Sequence, residues 1–248
     1  MITCDLMGRL GNQLFQMAAA ICHAVKNNLE YCIPRKTLNE QVWPKYIQVD
    51  PCCEDVSYTV AMYKESTHAY REIDKMDNIK LRGYFQSEKY FKVCRDFIIK
   101  AFGLKWEMKE GWVSIHVRLG DYLVQQDKHP PVTTEYLASA VEWMHGKGYT
   151  KFLVFSDDIR MCRQRMSLID GMFKDCLFVF SSAQNEIRDI EDMSSCEHNI
   201  IANSTFSWWA AWLNRNPDKI VIAPKLWFGM GNAHLETKDI IPEKWIRL

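Results

Sequence analysis

The 248-residue chain is long enough to bury a sizeable core, as one large domain or as two smaller ones. Apolar residues make up 48% and charged residues 25%, a balance that excludes disordered, collagen-like and coiled-coil chains. Lys plus Arg and Asp plus Glu both number 31, so no general basic field exists for nucleic acid or an acidic membrane, and any anion must be held by a local arrangement.

The first six residues, MITCDL, form a short β-like run that ends in the loop MGRLGNQ. LFQMAAAICHAVKN then carries Leu14, Met17, Ala18, Ile21 and Val25 at three- and four-residue steps, the buried face of a helix. EYCIP follows as a second strand, and residues 36–78 show no sustained period and match no motif. IKLRGYF is expected as another strand. SEKYFKVCRDFIIKAF is expected as a helix capped by Ser87, with Tyr90, Phe91, Cys94, Phe97 and Ile98 facing inward. The polar, glycine-flanked stretch GLKWEMKEGW is the candidate linker between two halves.

Beyond it the alternation becomes regular. WVSIHV is a strand, residues 133–146 a helix capped by Thr133, KFLVFS a strand, IRMCRQRM a helix and CLFVFS a strand. A helix over 184–195, a strand HNIIAN, a helix from Ser204 to Leu213 and a strand KIVIAP complete the series. Strands alternating with helices imply an α/β domain on a parallel sheet, Rossmann-like in the second half and expected so in the first.

Nine cysteines without a C-x-x-C spacing, with Cys52 and Cys53 adjacent, fit neither a common disulfide framework nor a zinc site. They are read as reduced, packed thiols of a cytoplasmic protein. The N-terminus lacks the basic start and longer apolar run of a signal peptide, and no stretch reaches membrane-spanning length, so no anchor is expected.

Ligands of such sheets bind where the loops gather at the carboxyl ends of the strands. Four polar clusters sit there: GRLGNQ, HVRLGDY, SDD and NSTFSWW. Gly8 and Gly11 allow a sharp turn ahead of a helix N-terminus, whose free N–H groups suit an anion. The loop fits neither the dinucleotide nor the Walker pattern, and a plain glycine turn with Arg9 at the surface explains it equally well. His116 and Arg118, two residues apart, share one side of an extended segment. The arginine fork suits phosphate oxygens, and the histidine adds a donor in either charge state. Asp121 is open between base, sugar-hydroxyl acceptor and partner of Arg118.

Asp157 and Asp158 admit two roles. They hold a divalent metal with a nucleotide diphosphate, or one accepts hydrogen bonds from a base or ribose while the other caps the helix that follows. Ser204, Thr205 and Ser207 crowd a helix start, while Phe206, Trp208, Trp209 and Trp212 make that helix apolar nearly all round and therefore buried. Its N-terminus is suited to neutralising a diphosphate without metal.

GRLGNQLFQ, GYFQSEKYF, HVRLGDY, SDD and NSTFSWWAAWLN, in this order over nearly the whole chain, resemble the α-1,2-fucosyltransferase family, glycosyltransferase family 11. The resemblance implies a GT-B-like fold with two Rossmann-like domains facing across a cleft: residues 1–108 on the acceptor side and 109–248 binding GDP-β-L-fucose. It implies that Arg118 meets the diphosphate, that His116 lies near nucleotide or sugar, and that Arg9, Asn12 and Gln13 reach the donor. It assigns the guanine contact to Asp157 first and Asp158 second, and phosphate binding to Ser204 and Thr205.

The implied reaction is a single displacement by O2 of a galactoside at the fucosyl anomeric carbon, with inversion. Arg118, Asp121 and His116 are the catalytic candidates, and neither metal nor other cofactor is expected. The implied partners are a nucleotide sugar and a glycan acceptor, with no nucleic acid and no membrane span. Membrane contact is expected only peripherally, through a lipid-linked acceptor. Golgi members of the family carry a membrane anchor, so a cytoplasmic bacterial or virus-encoded form is expected. Two rivals remain: a metal-dependent sugar transferase using Asp157 and Asp158, and a noncatalytic glycan-binding protein that stacks aromatic rings on sugars.

Overall fold

A computed structural model describes residues 1–35, 49, 52–53, 61–182 and 185–248. The chain divides into two compact units, Met1–Leu104 with Leu235–Pro242 and Lys105–His234 with Glu243–Leu248. The expected boundary at 108/109 thus differs from the observed division by a few residues, and by one returning segment. That segment has no periodic signal and joins the first unit through side chains. Asp239 accepts from Tyr70 N at 2.9 Å and from Lys89 Nζ at 2.6 Å, and Ile240 is fully buried.

The first unit contains β1 (Ile2–Cys4), α1 (Leu10–Asn27), β2 (Ile33–Pro34), β3 (Cys52–Cys53), β4 (Ala61–Lys64), β5 (Ile79–Arg82) and α2 (Arg95–Phe102). β1, β5 and β4 pair in that order as a parallel sheet. β2 and β3 form a separate parallel pair, and a bridge from Ile2 to Tyr31 links β1 to the chain just before β2. β3 and β4 lie within the span where the sequence showed no period.

Leu14, Met17, Ala18 and Ile21 of α1 are buried as expected, but Val25 is 40% exposed because α1 leaves the core in its last turn. Asn28, in the left-handed conformation at φ +56°, ends the helix and donates its backbone N–H back to Ala24 and Val25. Two 3-10 turns, Glu88–Tyr90 and Lys92–Cys94, replace the first half of the expected helix after Ser87. Ser87 still caps, its hydroxyl accepting from Lys89 N. The tighter winding shifts the phase, so Ile98 and Phe102 face inward while Phe97 is 43% exposed and meets the edge of Tyr31 instead.

Cys22 and Cys94 are joined in a disulfide, with Cα atoms 5.6 Å apart. This corrects the reading of the cysteines as reduced. The packing of α1 against the second 3-10 turn brings together two thiols 72 residues apart in sequence, a proximity that spacing does not encode. Cys4, Cys162, Cys176 and Cys196 are free thiols.

The second unit contains β6 (Lys109–Val117), α3 (Thr134–His145), β7 (Lys151–Ser156), α4 (Ile159–Met172), β8 (Leu177–Phe180), α5 (Glu186–Ser195), β9 (Cys196–Ile200), α6 (Thr205–Leu213), β10 (Val221–Ala223) and β11 (Ile246–Arg247). The first residue of the helix expected over 184–195 lies outside the described residues. Side-chain oxygens cap the helices: Thr133 accepts from Tyr136 N, Asp158 from Met161 N, Asn185 from Ile187 N and Ser204 from Phe206 N.

All six strands are parallel, in the order β11-β10-β9-β6-β7-β8. Numbered along this unit, that is the Rossmann order 3-2-1-4-5-6 read from the other edge. Alternate residues of β6 and β7 face one core: Val113, Ile115, Val117, Phe152 and Val154 pack with Leu137, Val141, Met144, Cys162, Met166 and Ile169 from α3 and α4. Each such side chain contributes about 1.5–3 kcal/mol when fully buried. The other face of β7 presents Phe155 to Met193 and Ala210 of α5 and α6. Trp208 and Trp209 of α6 are fully buried, and Trp208 packs 5.4 Å from Trp245, which precedes β11. The chain leaves β6 toward β7 on one side, while β9 lies on the other. The crevice where loops diverge therefore opens at the carboxyl ends of β6 and β9.

Candidate active site

His116, the penultimate residue of β6, is 3% exposed and packs its ring 5.5 Å from Phe206 at the start of α6. Its Nδ1 has no hydrogen-bond partner among the described residues. Burial first, and the neighbouring Arg118 charge second, push its pKa down to about 3. His116 is therefore a neutral imidazole at physiological pH, and the local positive charge is that of Arg118.

Arg118 follows directly after β6, with its side chain 13% exposed. Its Nη2 donates to Asp121 Oδ1 at 2.6 Å, its Nη1 lies 3.1 Å from Asp157 Oδ2, and its guanidinium sits 5.6 Å from the Tyr122 ring centroid. Asp157 Oδ1 also accepts from Leu119 N at 2.8 Å. Asp158 turns the other way, its Oδ1 capping α4 through Met161 N at 2.9 Å. The two neighbouring aspartates thus have separate structural partners.

Asp121 and Tyr122 occupy a 3-10 turn, Gly120–Leu123. The Tyr122 hydroxyl donates to Asn203 O at 3.0 Å, which ties this turn to the NSTFS loop. Asn203 is held in turn by donating from Nδ2 to Pro130 O and Trp227 O. His129 stacks on Tyr122 at 5.1 Å and meets the Phe228 ring edge at 5.5 Å. Ser204 caps α6, and Thr205 is its first residue. His116, Arg118, Asp121, Asp157, Ser204 and Thr205 therefore all belong to the carboxyl ends of β6, β7 and β9. Tyr122, Asn203 and His129 were missed as site residues. The first two stand inside the motifs HVRLGDY and NSTFS, and only their mutual hydrogen bond shows their part.

In the first unit, Arg9 is exposed at the N-cap position of α1. Gln13 Nε2 donates to Gly8 O at 2.9 Å, and Asn12 Oδ1 accepts from Gln86 Nε2 at 3.0 Å. Gly8 has φ +72°, and a Cβ there would stand 2.5 Å from Asn12 Nδ2, so the loop requires glycine. Gln86, from GYFQSEKYF, is a further residue the sequence reading left without a role. Glu65 closes the loop beneath it by accepting from Tyr84 N and Phe85 N, and Phe85 is held at φ +51°.

Among the described residues, His145, Asp175 and Cys176 are the one group of three metal-capable side chains, their donor atoms within 4.8 Å. They lie ahead of β7 and β8, away from the strands' carboxyl ends, and a 2.7 Å hydrogen bond joins His145 to Asp175.

Residues 1–248 match the family model described as Glycosyl transferase family 11. The chain belongs to glycosyl transferase family 11. This glycosyltransferase is 26% identical over 291 aligned positions to an Escherichia coli alpha-1,2-colitosyltransferase, with 100% of this chain and 98% of that protein covered. It is 26% identical over 239 positions to a Bos taurus galactoside 2-alpha-L-fucosyltransferase SEC1, with 85% and 64% covered, so it spans less than two thirds of the latter. The crystal structure of POFUT1 in complex with GDP superposes with a TM-score of 0.52 at 12% identity, with 90% and 97% covered. That likeness concerns the fold, which is GT-B in type. Among the described residues, no helix of the family 11 chain is long and apolar enough to cross a membrane.

Proposed function

We propose that this family 11 glycosyltransferase transfers L-fucose from GDP-β-L-fucose, with inversion, to O2 of a galactoside, forming an α-1,2-fucoside. The observation that carries the reading is that Arg118 and the α6 N-terminus stand in the loops after β6 and β9, which the Tyr122–Asn203 hydrogen bond joins. The linkage in both relatives' names, and the galactoside acceptor in one of them, support the same chemistry.

The acceptor hydroxyl attacks the anomeric carbon as the bond to the β-phosphate breaks, so negative charge grows on the leaving GDP. Arg118 and the free N–H groups at Ser204 and Thr205 face that charge, and one preorganised donor of this kind is worth on the order of 100-fold in rate. Neutral His116 offers a directional hydrogen bond without a second charge. Asp121 takes the proton released by the acceptor oxygen. Asp157 and Asp158 already have backbone and arginine partners, which supports transfer without a metal bridging the pair.

The test is incubation with GDP-fucose and a panel of β-galactosides, with product linkage read by NMR. An α-1,2-fucoside in excess chelator is the expected product. No product on any β-galactoside sinks the acceptor assignment, and activity abolished by chelator and restored by a divalent ion sinks the metal-free one. A colitosyl donor is the second reading, favoured by the relative that covers the whole chain. A parallel incubation with GDP-colitose separates the two by kcat/KM.

A further inference from the structure

Asp157 is the first residue after β7, and the parallel ladder that pairs Val117 with Ser156 delivers it beside Arg118. Its carboxylate grips three consecutive residues of the neighbouring loop. Oδ2 lies 3.1 Å from Arg118 Nη1, and Oδ1 accepts from Leu119 N at 2.8 Å. Against Gly120 the same group packs so closely that a Cβ there would stand 2.3 Å from Oδ2. Both oxygens thus have charged or backbone donors, the condition under which a partly desolvated carboxylate is stabilising.

The other carboxylate on Arg118, Asp121, stands three residues away in the 3-10 turn that follows. Asp157 comes from the end of a different strand, so it ties the guanidinium to β7.

We propose that Asp157 is the positioning residue of Arg118, setting where the guanidinium meets the pyrophosphate of the nucleotide sugar, and that it does not read the base. The inference rests on the donor reading above. Without Asp157, Arg118 keeps its charge and its bond to Asp121 but loses its anchor on β7, and misplacement of about 1 Å is enough to cost on the order of 100-fold in rate. The loss falls on the diphosphate and on kcat, because nothing that touches the base has changed. Gly120 is part of the same device, since any side chain there displaces the carboxylate.

The experiment compares wild type, D157N, G120A, R118A and the double variant R118A/D157N by calorimetric titration with GDP and with guanosine, and by steady-state transfer. The D157N substitution keeps the size of the side chain and an acceptor for Leu119 N but removes the charge. G120A keeps every charge and moves the carboxylate, so it tests the proposal even where D157N unfolds. GDP affinity is expected to fall roughly tenfold in D157N and in G120A, with guanosine affinity within about twofold of wild type. In the R118A background, D157N is expected to cost nothing more, because its whole effect passes through Arg118. Equal losses for guanosine and GDP, or additive losses in the double variant, overturn the proposal. A wild-type protein that does not bind GDP overturns the donor reading itself, an outcome distinct from either.

Discussion

The Tyr122 hydroxyl and the backbone carbonyl of Asn203 form a 3.0 Å hydrogen bond that joins the loop after β6 to the loop after β9. It spans the crevice where the strand order reverses. Tyr122→Phe removes this tie and leaves a carbonyl short of a donor, at a cost of about 1 kcal/mol. Transfer is expected to fall while the aromatic contacts with Arg118 and His129 persist. Chemical denaturation together with steady-state kinetics checks this, and an unchanged kcat in Tyr122→Phe denies the hydrogen bond any part in the site.

Arg118→Ala is expected to lower transfer by on the order of 100-fold or more while unfolding remains cooperative. Arg118→Lys is expected to recover little, because an ammonium cannot engage Asp121, Asp157 and a phosphate with one planar fork. Turnover near wild type in either soluble variant refutes the assignment of Arg118 to the diphosphate.

His116 gives a pH signature whose sign follows from its depressed pKa of about 3 in the folded state. Above about pH 6.5, the ordinary histidine pKa, neither folded nor unfolded chain protonates it. Below that, the unfolded chain takes up a proton that the native state refuses, so stability falls by about 1.4 kcal/mol per pH unit until about pH 3. His116→Asn is expected to flatten this part of the stability profile between about pH 6.5 and about pH 4, measured by denaturant titration. His23, His129 and His198 are also depressed by burial and account for slope that remains. An unaltered profile in His116→Asn shows that the ring takes up its proton as readily in the native state as in the unfolded chain.

Gly8→Ala places a methyl group against Asn12 at a backbone φ of +72°. The left-handed conformation alone costs about 1–2 kcal/mol, and the displaced Asn12 loses its bond to Gln86. A lower denaturation midpoint with weakened transfer is expected. A midpoint equal to wild type would mean the loop adopts another conformation.

The regular part of the second unit was legible because each element carries its own short-range signal. β7 matched KFLVFS residue for residue, and Thr133 caps the helix it was assigned to. The apolar WW run was rightly read as a buried helix. Phe97 and Val25 failed for local reasons, a phase shift from 3-10 winding and a helix end leaving the core. β3, β4 and β11 were missed because two- to four-residue strands have too few positions to display a period. In the site, the polar residues at the strand ends were found. Tyr122 and Asn203 were not singled out, since their significance is a contact between residues 81 apart.

The sequence by itself determined the alternation of strands and helices, the caps, and which chemistry-bearing side chains stand at strand ends, because these depend on neighbours within one or two turns of chain. Tertiary structure decided the rest. The order β11-β10-β9-β6-β7-β8 is set by crossovers and by hydrogen bonds between distant strands, and it places the crevice between His116 and Ser204. The return of Leu235–Pro242 to the first unit and the Cys22–Cys94 disulfide are of the same kind. So is the division of Arg118 between Asp121 and Asp157. The first partner is three residues away and readable, whereas the second arrives from the end of β7, through a strand register that no local pattern specifies.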